Sequence, residues 1–333
     1  METRIWCEFT NPKEVCRRHI LDAFKRYGII LNYKLEYGQD NEEFYSMIKA
    51  YNEAGIPISI WATLSDEMGY WINERNARSF NQYIRELVEK LEARDLKIKG
   101  LCIDLESPLE DIKNISNPQN KLLPIATYAK MLTGNLNKKR FNEAKEILSE
   151  TASYLRSKGL ESYATCVRHC YYDIRFKSEL IQNALEIPVF DVGWDKYNLM
   201  YYATMIRNEM KKIKRVNVDY LIYHQVSHLK EVLKDKLAIS VGVTNVGKLG
   251  NEPYYEDIRE FEKDMGILKG IGIEDFSLFS LDGITEEKKL LSFLEAMERA
   301  KPYKPDMCNH VIRNEVLSEI FFNLGKAYYK LLR

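Results

Sequence analysis

Lys99-Gly100-Leu101-Cys102-Ile103-Asp104-Leu105-Glu106-Ser107 is the stretch on which the reading of this chain turns. Side chains alternate along a strand with period two, so Leu101, Ile103 and Leu105 share one face and Cys102, Asp104 and Glu106 the other. The flanking segments have helical periodicity, which is the setting of a parallel strand covered by helices. An Asp and a Glu on a covered face are costly to bury unless they have a partner or a use. One reading is a strand end whose carboxylates merely reach solvent. The preferred reading is an active-site carboxylate pair at the carboxyl end of the strand.

The rest of the chain sets the frame. Its 333 residues are 45% hydrophobic and 29% charged, enough for a large core and an ordinary hydrated surface. The 49 basic residues balance the 49 acidic ones, so no field draws in nucleic acid or an anionic membrane, and neither is expected as a partner. The amino terminus enters an apolar strand without a signal-peptide pattern, and no run of about 18 apolar residues is present, so a cytoplasmic location is expected. The six cysteines form no CxxC pair and are expected to be free thiols. His224 and His228 stand four apart on a helix, but no acidic residue lies between them, and no metal site or cofactor is expected.

Strand-like and helix-like segments alternate along most of the chain. Strands are expected over Thr3–Thr10, Gly28–Tyr37, Pro57–Leu64, the opening stretch, Ser162–Cys170, Leu237–Asn245 and Phe276–Gly283. For the sixth, Ile187–Val192 and Tyr197–Thr204 are both open. Helices are expected from Asn11-Pro12, from Asp40, and over Ala77–Ala93, Asp219–Asp235, Glu286–Ala300 and Asn314–Leu332. A helical insertion is expected over about 112–158, after strand four, and a helical extension over 301–333. Eight strands with helical connections favour an α/β fold of the (β/α)8 TIM-barrel type, one domain over 1–333, above an open doubly wound sheet. Neither GxGxxG after a strand nor GxxxxGK[ST] occurs.

In such a barrel chemistry belongs at the carboxyl ends of the strands. That filter selects Glu8; Asn32, Lys34 or Glu36; Trp61 and Thr63; Asp104 and Glu106; Arg168 or His169; Thr244 and Asn245; Ser280 and Asp282. This polar and aromatic rim suits a carbohydrate-sized cleft. Tyr33, Tyr37, Tyr70, Trp71, Tyr254 and Tyr255 are further candidates to stack on sugar faces.

The opening stretch resembles the fourth-strand motif DGxDxDxE of family 18 glycoside hydrolases, the chitinase-like barrels. Gly100, Asp104 and Glu106 match; Lys99 and Cys102 replace the first and middle Asp. Asp195–Ala203 is similar to the sixth-strand pattern ending MxYD, with Met200 and Tyr202 matching and Ala203 in place of the Asp. Phe279-Ser280-Leu281-Asp282-Gly283 resembles the end of the eighth strand, where the family usually carries Trp at the position of Phe279. The resemblance selects Tyr197–Thr204 as strand six. It implies that Glu106 is the general acid and base, that Asp104 orients the 2-acetamido group, and that Tyr202 holds the acetamide oxygen. It also implies an oligosaccharide substrate, with Glu8, Trp61, Cys102, Met200, Phe279 and Asp282 lining the site. Glycosidases with a protein nucleophile need a second carboxylate across the cleft, often on strand seven, and Leu237–Asn245 contains no Asp or Glu.

Two other readings stand beside this one. A catalytically silent carbohydrate-binding barrel is consistent with the changes at Cys102, Ala203 and Phe279. A metal-dependent sugar isomerase or lyase would use His169, Glu106 and Asp282 as ligands. The oligomeric state is left open.

Overall fold

The computed structural model describes residues 2–108, 137–211, 215–245 and 252–331, with side chains described to residue 326. Eight strands close into a barrel in sequence order: β1 (Glu2–Cys7), β2 (Ile29–Glu36), β3 (Ile58–Thr63), β4 (Gly100–Leu105), β5 (Glu161–Val167), β6 (Lys196–Met200), β7 (Leu237–Gly242) and β8 (Asp275–Phe279). The pairings of β1 with β2 and β8, of β4 with β3 and β5, and of β7 with β8 are parallel. Helices separate successive strands, so the expected (β/α)8 barrel is the fold.

Local chemistry explains the helices. Asn11 accepts a hydrogen bond from the Glu14 amide, ahead of a first turn that carries Pro12. The helix Arg18–Tyr27 stops at Gly28, whose φ of 64° is left-handed and favours a residue without Cβ. Asn137 caps the helix Lys138–Ser157 by accepting from the Arg140 amide, and Asp257 caps Ile258–Ile271 by accepting from Arg259.

Proximity along the backbone divides the chain into two compact units. The first comprises Met1–Tyr33, Lys49–Ile58 and Asn198–Arg333. Its strands carry a polar interior. The Trp6 indole N–H is shared by Ser277 Oγ at 2.9 Å and Ser240 Oγ at 3.2 Å, and Asn198 Nδ2 donates to Ser240 Oγ at 2.8 Å. At the amino ends of β1 and β8 the buried Arg4 donates to both carboxylate oxygens of Asp275, at 3.0 and 3.1 Å. On the outside, Arg207 joins Asp219 and Asp264, and Tyr255 Oη donates to Asp264 at 2.8 Å, tying three helices together.

The second unit comprises Lys34–Ile48 and Ser59–Tyr197. Here β3 and β4 are buried along their whole length. Register places Trp61 beside Cys102, then Cys102 beside Tyr163 and Asp104 beside Thr165. At Gly100 the strands approach so closely that a Cβ would lie 2.2 Å from the Glu161 carbonyl oxygen. The helices Ala77–Glu92 and Lys138–Ser157 pack against each other outside these strands.

Several expected boundaries move, each for a visible reason. Strand one ends at Cys7 rather than Thr10, because the amides of Glu8, Phe9 and Thr10 turn toward the Asp282 carboxylate. Strand eight ends at Phe279, and Leu281–Gly283 forms the single helical turn that presents Asp282. Strand five ends at Val167, with Arg168–Cys170 already in a helical turn. Strand seven ends at Gly242, where a Cβ would meet the Phe279 carbonyl oxygen at 2.9 Å. Strand six is Lys196–Met200, and Ile187–Val192 contains no strand. The helix Lys138–Ser157 lies between β4 and β5 within the insertion expected over 112–158, and positions 112–136 lie outside the described residues. The final helix is Asn309–Leu331, within the extension expected over 301–333.

Candidate active site

The second unit holds the carboxylates that the sequence singled out. Cys102 is fully buried and Asp104 nearly so, while Glu106, one step beyond β4, is half-buried. The backbone here is fixed from two sides: the Ile72 amide donates to the Asp104 carbonyl at 3.0 Å, and Ser107 Oγ donates to the Leu185 carbonyl at 3.1 Å. Trp61 is buried beside Cys102 in the β3–β4 register, and Thr63 ends β3 with its hydroxyl buried. In the turn after β5, burial and then the charge of neighbouring Arg168 push the His169 pKa well below its usual value. The imidazole is therefore neutral at pH 7.

A charge cluster braces the same unit. Arg140 donates to Glu74 Oε1 and to Glu186 Oε1, each at 2.5 Å, and Arg75 reaches Glu186 at 2.5 Å. Both glutamates are buried, whereas the two guanidinium groups are about 40% exposed. Burial pushes the Glu74 carboxyl up to about 7, and the Glu186 charge adds to that, against the lowering pull of Arg140. Leu185 and Glu186 thus hold both Ser107 and Arg140. Sequence reasoning missed this cluster, since its members fall on three separate connections. It also missed Tyr163 and Thr165, which become visible only once the β4–β5 register is known.

The first unit holds the other predicted residues. Tyr202, two residues beyond β6, lies with its ring centroid 5.6 Å from that of Phe279 and tilted by 33°. Gly242 makes room for this pair, because a Cβ there would come within 3.1 Å of the Tyr202 ring. Tyr202, Phe279 and Met200 are all half-buried. Ala203 is buried and begins the next helix. Thr244 Oγ1 donates to the Ser280 carbonyl and accepts from the Ser280 amide at 3.0 Å, stitching the ends of β7 and β8.

Asp282 was expected to contact substrate, but its oxygens are engaged within the fold. They accept from the amides of Glu8 at 2.9 Å, Phe9 at 2.9 Å and Thr10 at 2.7 Å, and from Thr10 Oγ1 at 2.8 Å. Glu8, carried on that turn, is buried. Of the extra aromatics, Tyr33, Tyr70, Trp71 and Tyr255 are corrected to buried structural residues. Tyr33 Oη donates to the Thr10 carbonyl at 3.1 Å, and Tyr70 packs edge-on to Trp71 at 5.2 Å. Tyr37 and Tyr254 are exposed. Among the described residues no group of three or more His, Cys, Asp or Glu is placed to hold a metal ion, and His224 is paired with Glu315. No helix among them is long and apolar enough to cross a membrane.

The fold has solved counterparts. The glycoside hydrolase domain of PgaB (BpsB) from Bordetella bronchiseptica superimposes with a TM-score of 0.53 at 10% identity, covering 89% of this chain and 99% of that one. A GH18 chitinase from Pseudoalteromonas aurantia gives 0.53 at 11% identity, covering 89% and 100%. The C-terminal domain of a putative chitinase from Desulfitobacterium hafniense gives 0.54 at 9% identity, covering 90% and 99%. No protein-family model and no curated protein matches the sequence. The chain therefore has the barrel fold of chitinase-like glycoside hydrolases, and at these identities the likeness is one of fold.

Proposed function

We propose that this chain is a glycoside hydrolase acting on oligosaccharides that contain N-acetylhexosamine, with one catalytic domain spanning residues 1–333. The observation that carries this reading is the end of β4. There a buried Asp104 and a half-buried Glu106 alternate with leucine and isoleucine at the carboxyl end of a barrel strand, where barrel enzymes keep their chemistry. The chitinases and glycoside hydrolase domain that share the fold support the substrate class.

In this mechanism Glu106 donates its proton to the glycosidic oxygen as the bond to the anomeric carbon breaks. The substrate's 2-acetamido oxygen attacks that carbon and forms a cyclic oxazolinium ion. The Glu106 carboxylate then takes a proton from the water that opens the ion, giving retention of configuration. Asp104 orients the acetamide N–H and offsets the positive charge that develops on it. By its place in the motif order Tyr202 holds the acetamide oxygen, and Phe279 offers a ring to a sugar face. Glu8, Trp61, Cys102 and Met200 are assigned to substrate binding by the same motif order and strand-end rule, and Asp282 acts through the turn that carries Glu8. β7 supplies no carboxylate, which accords with a nucleophile provided by the substrate. Six free cysteines accord with a reducing, cytoplasmic setting.

The test is hydrolysis of fluorogenic β-N-acetylglucosaminides and chito-oligosaccharides by the wild type and by Glu106→Gln. Turnover lost in the variant supports the proposal, and equal background rates for both would sink it. A silent carbohydrate-binding barrel is the second reading. It is favoured by the fully buried Cys102, whose thiol replaces a charge in the family motif. Binding of the same oligosaccharides without turnover would select it.

A further inference from the structure

The helix Asn309–Leu331 has two opposed faces. Val311 and Phe322 are buried, and Glu315 beside them pairs with His224 of the helix Val218–Leu233, which fastens one face of the final helix to the first unit. The other face carries Val316, Leu317, Ile320, Phe321 and Leu324, each between 52% and 67% exposed. At 3.6 residues per turn these five lie within about 140° of arc, centred opposite the buried face. A band of five large apolar side chains is more than the scattered exposure normal on a soluble surface.

We propose that this band is an isologous contact with a second copy of the chain. The first argument is its self-complementarity. A two-fold axis crossing the helix between Ile320 and Phe321 runs two copies antiparallel, setting Leu317 against Leu324 and Ile320 against Phe321. Val316 then falls opposite Gly325, a large side chain against none. The second is area. Five such side chains at this exposure present roughly 500 Å² per copy, so pairing covers on the order of 1,000 Å², the lower bound for a specific interface. A membrane surface is the poorer occupant, because the helix sets Glu315 and Glu319 against Arg313, Lys326 and Lys330, a mixed set of charges instead of the strongly basic polar face such helices carry.

The contact is tested by sedimentation velocity on the full chain at increasing concentration, with Leu317→Glu/Leu324→Glu in parallel. The expected result is a species near twice 39.1 kDa for the wild type and one near 39.1 kDa for the variant. Both positions are exposed, so the two proteins should have the same far-ultraviolet circular dichroism, and their melting curves should converge on dilution as the wild type dissociates, which separates lost association from lost folding. A wild type that stays at one copy up to about 100 µM overturns the proposal. So does a dimer that the variant preserves, or pelleting of the monomer with anionic phosphatidylserine vesicles in place of self-association. None of these outcomes depends on glycoside turnover, so the contact stands or falls separately from the catalytic reading.

Discussion

The ends of β4 and β8 look alike in sequence and differ in their surroundings. Each strand is followed by an acidic residue, Glu106 one position beyond β4 and Asp282 three positions beyond β8. Around Asp282 the chain supplies three amides and a hydroxyl, all from the turn after β1, so the carboxylate becomes a staple holding that turn. Glu106 is half-buried on a backbone fixed by its neighbours Asp104 and Ser107. A fully satisfied carboxylate is a structural group, since using it on a ligand means giving up several charge-assisted hydrogen bonds. A carboxylate on a rigid backbone beside a second one is suited to proton transfer.

The largest expected effect separates these two residues. Glu106→Gln keeps the shape and removes the transferable proton, so turnover of N-acetylglucosaminides should fall by about 10² to 10⁴ while thermal stability holds. Asp282→Asn should do the reverse. An amide offers one acceptor oxygen where the carboxylate offers two, leaving amides of the β1 turn unmatched at a cost of about 1–3 kcal/mol. Its turnover should change by less than tenfold, measured at a temperature where the variant is folded. If Asp282→Asn abolished turnover without moving the melting temperature, the contrast between the two strand ends would be lost.

Next in size is the brace beside β4. Arg140→Ala leaves the buried Glu74 and Glu186 facing one another with Arg75 as the remaining cation among the described residues, and should destabilise the chain by about 2 kcal/mol after allowance for the partly exposed guanidinium. Urea unfolding reads this directly. Adding Glu74→Gln to Arg140→Ala should recover part of the loss, because the two positions share one interaction. Strict additivity would mean that Arg140 and Glu74 act independently. Gly100→Ala should cost about 1–3 kcal/mol, since the new methyl group meets the rigid Glu161 carbonyl in the paired strand.

What the sequence revealed and what it concealed follow from the range of the interactions concerned. The alternation Leu101-Cys102-Ile103-Asp104-Leu105 is a local pattern, so strand, face and carboxylate pair could all be read from nine residues. Motif order singles out Tyr202 and Phe279, and the structure adds that their rings meet. The structural role of Asp282 was not legible, because its donors lie 272 to 274 positions away and nothing near it in sequence announces them. The same holds for Glu74, Arg140 and Glu186, which look like ordinary surface charges until the fold buries two of them. Buried Tyr70 and Trp71 were misread for the opposite reason: a loop rich in aromatics resembles a sugar platform until the loop folds inward.

The last expected effect concerns pH and sharpens the contrast between a brace and the proposed active-site acid. Glu74 titrates near 7 in the folded chain and near 4.5 when unfolded. Between these values the native state holds more protons than the unfolded state, so stability from this group is full below about 4.5 and declines as pH rises toward 7. Asp40, Asp195 and Asp219 are held below their usual pKa by lysine, serine or arginine partners and contribute in the opposite sense at lower pH, so a raw melting profile mixes both trends. The difference between Glu74→Gln and wild type isolates one. Glutamine mimics the neutral acid at every pH, so the variant should gain steadily on the wild type as pH rises from about 4.5 to about 8, with a pH-independent offset from the altered Arg140 contact. Melting temperatures measured across that window should therefore converge or cross in the direction that favours the variant at high pH. A flat difference would mean that Arg140 keeps Glu74 ionised throughout, and the cluster would then be a permanent ion-pair network with no titration in this range.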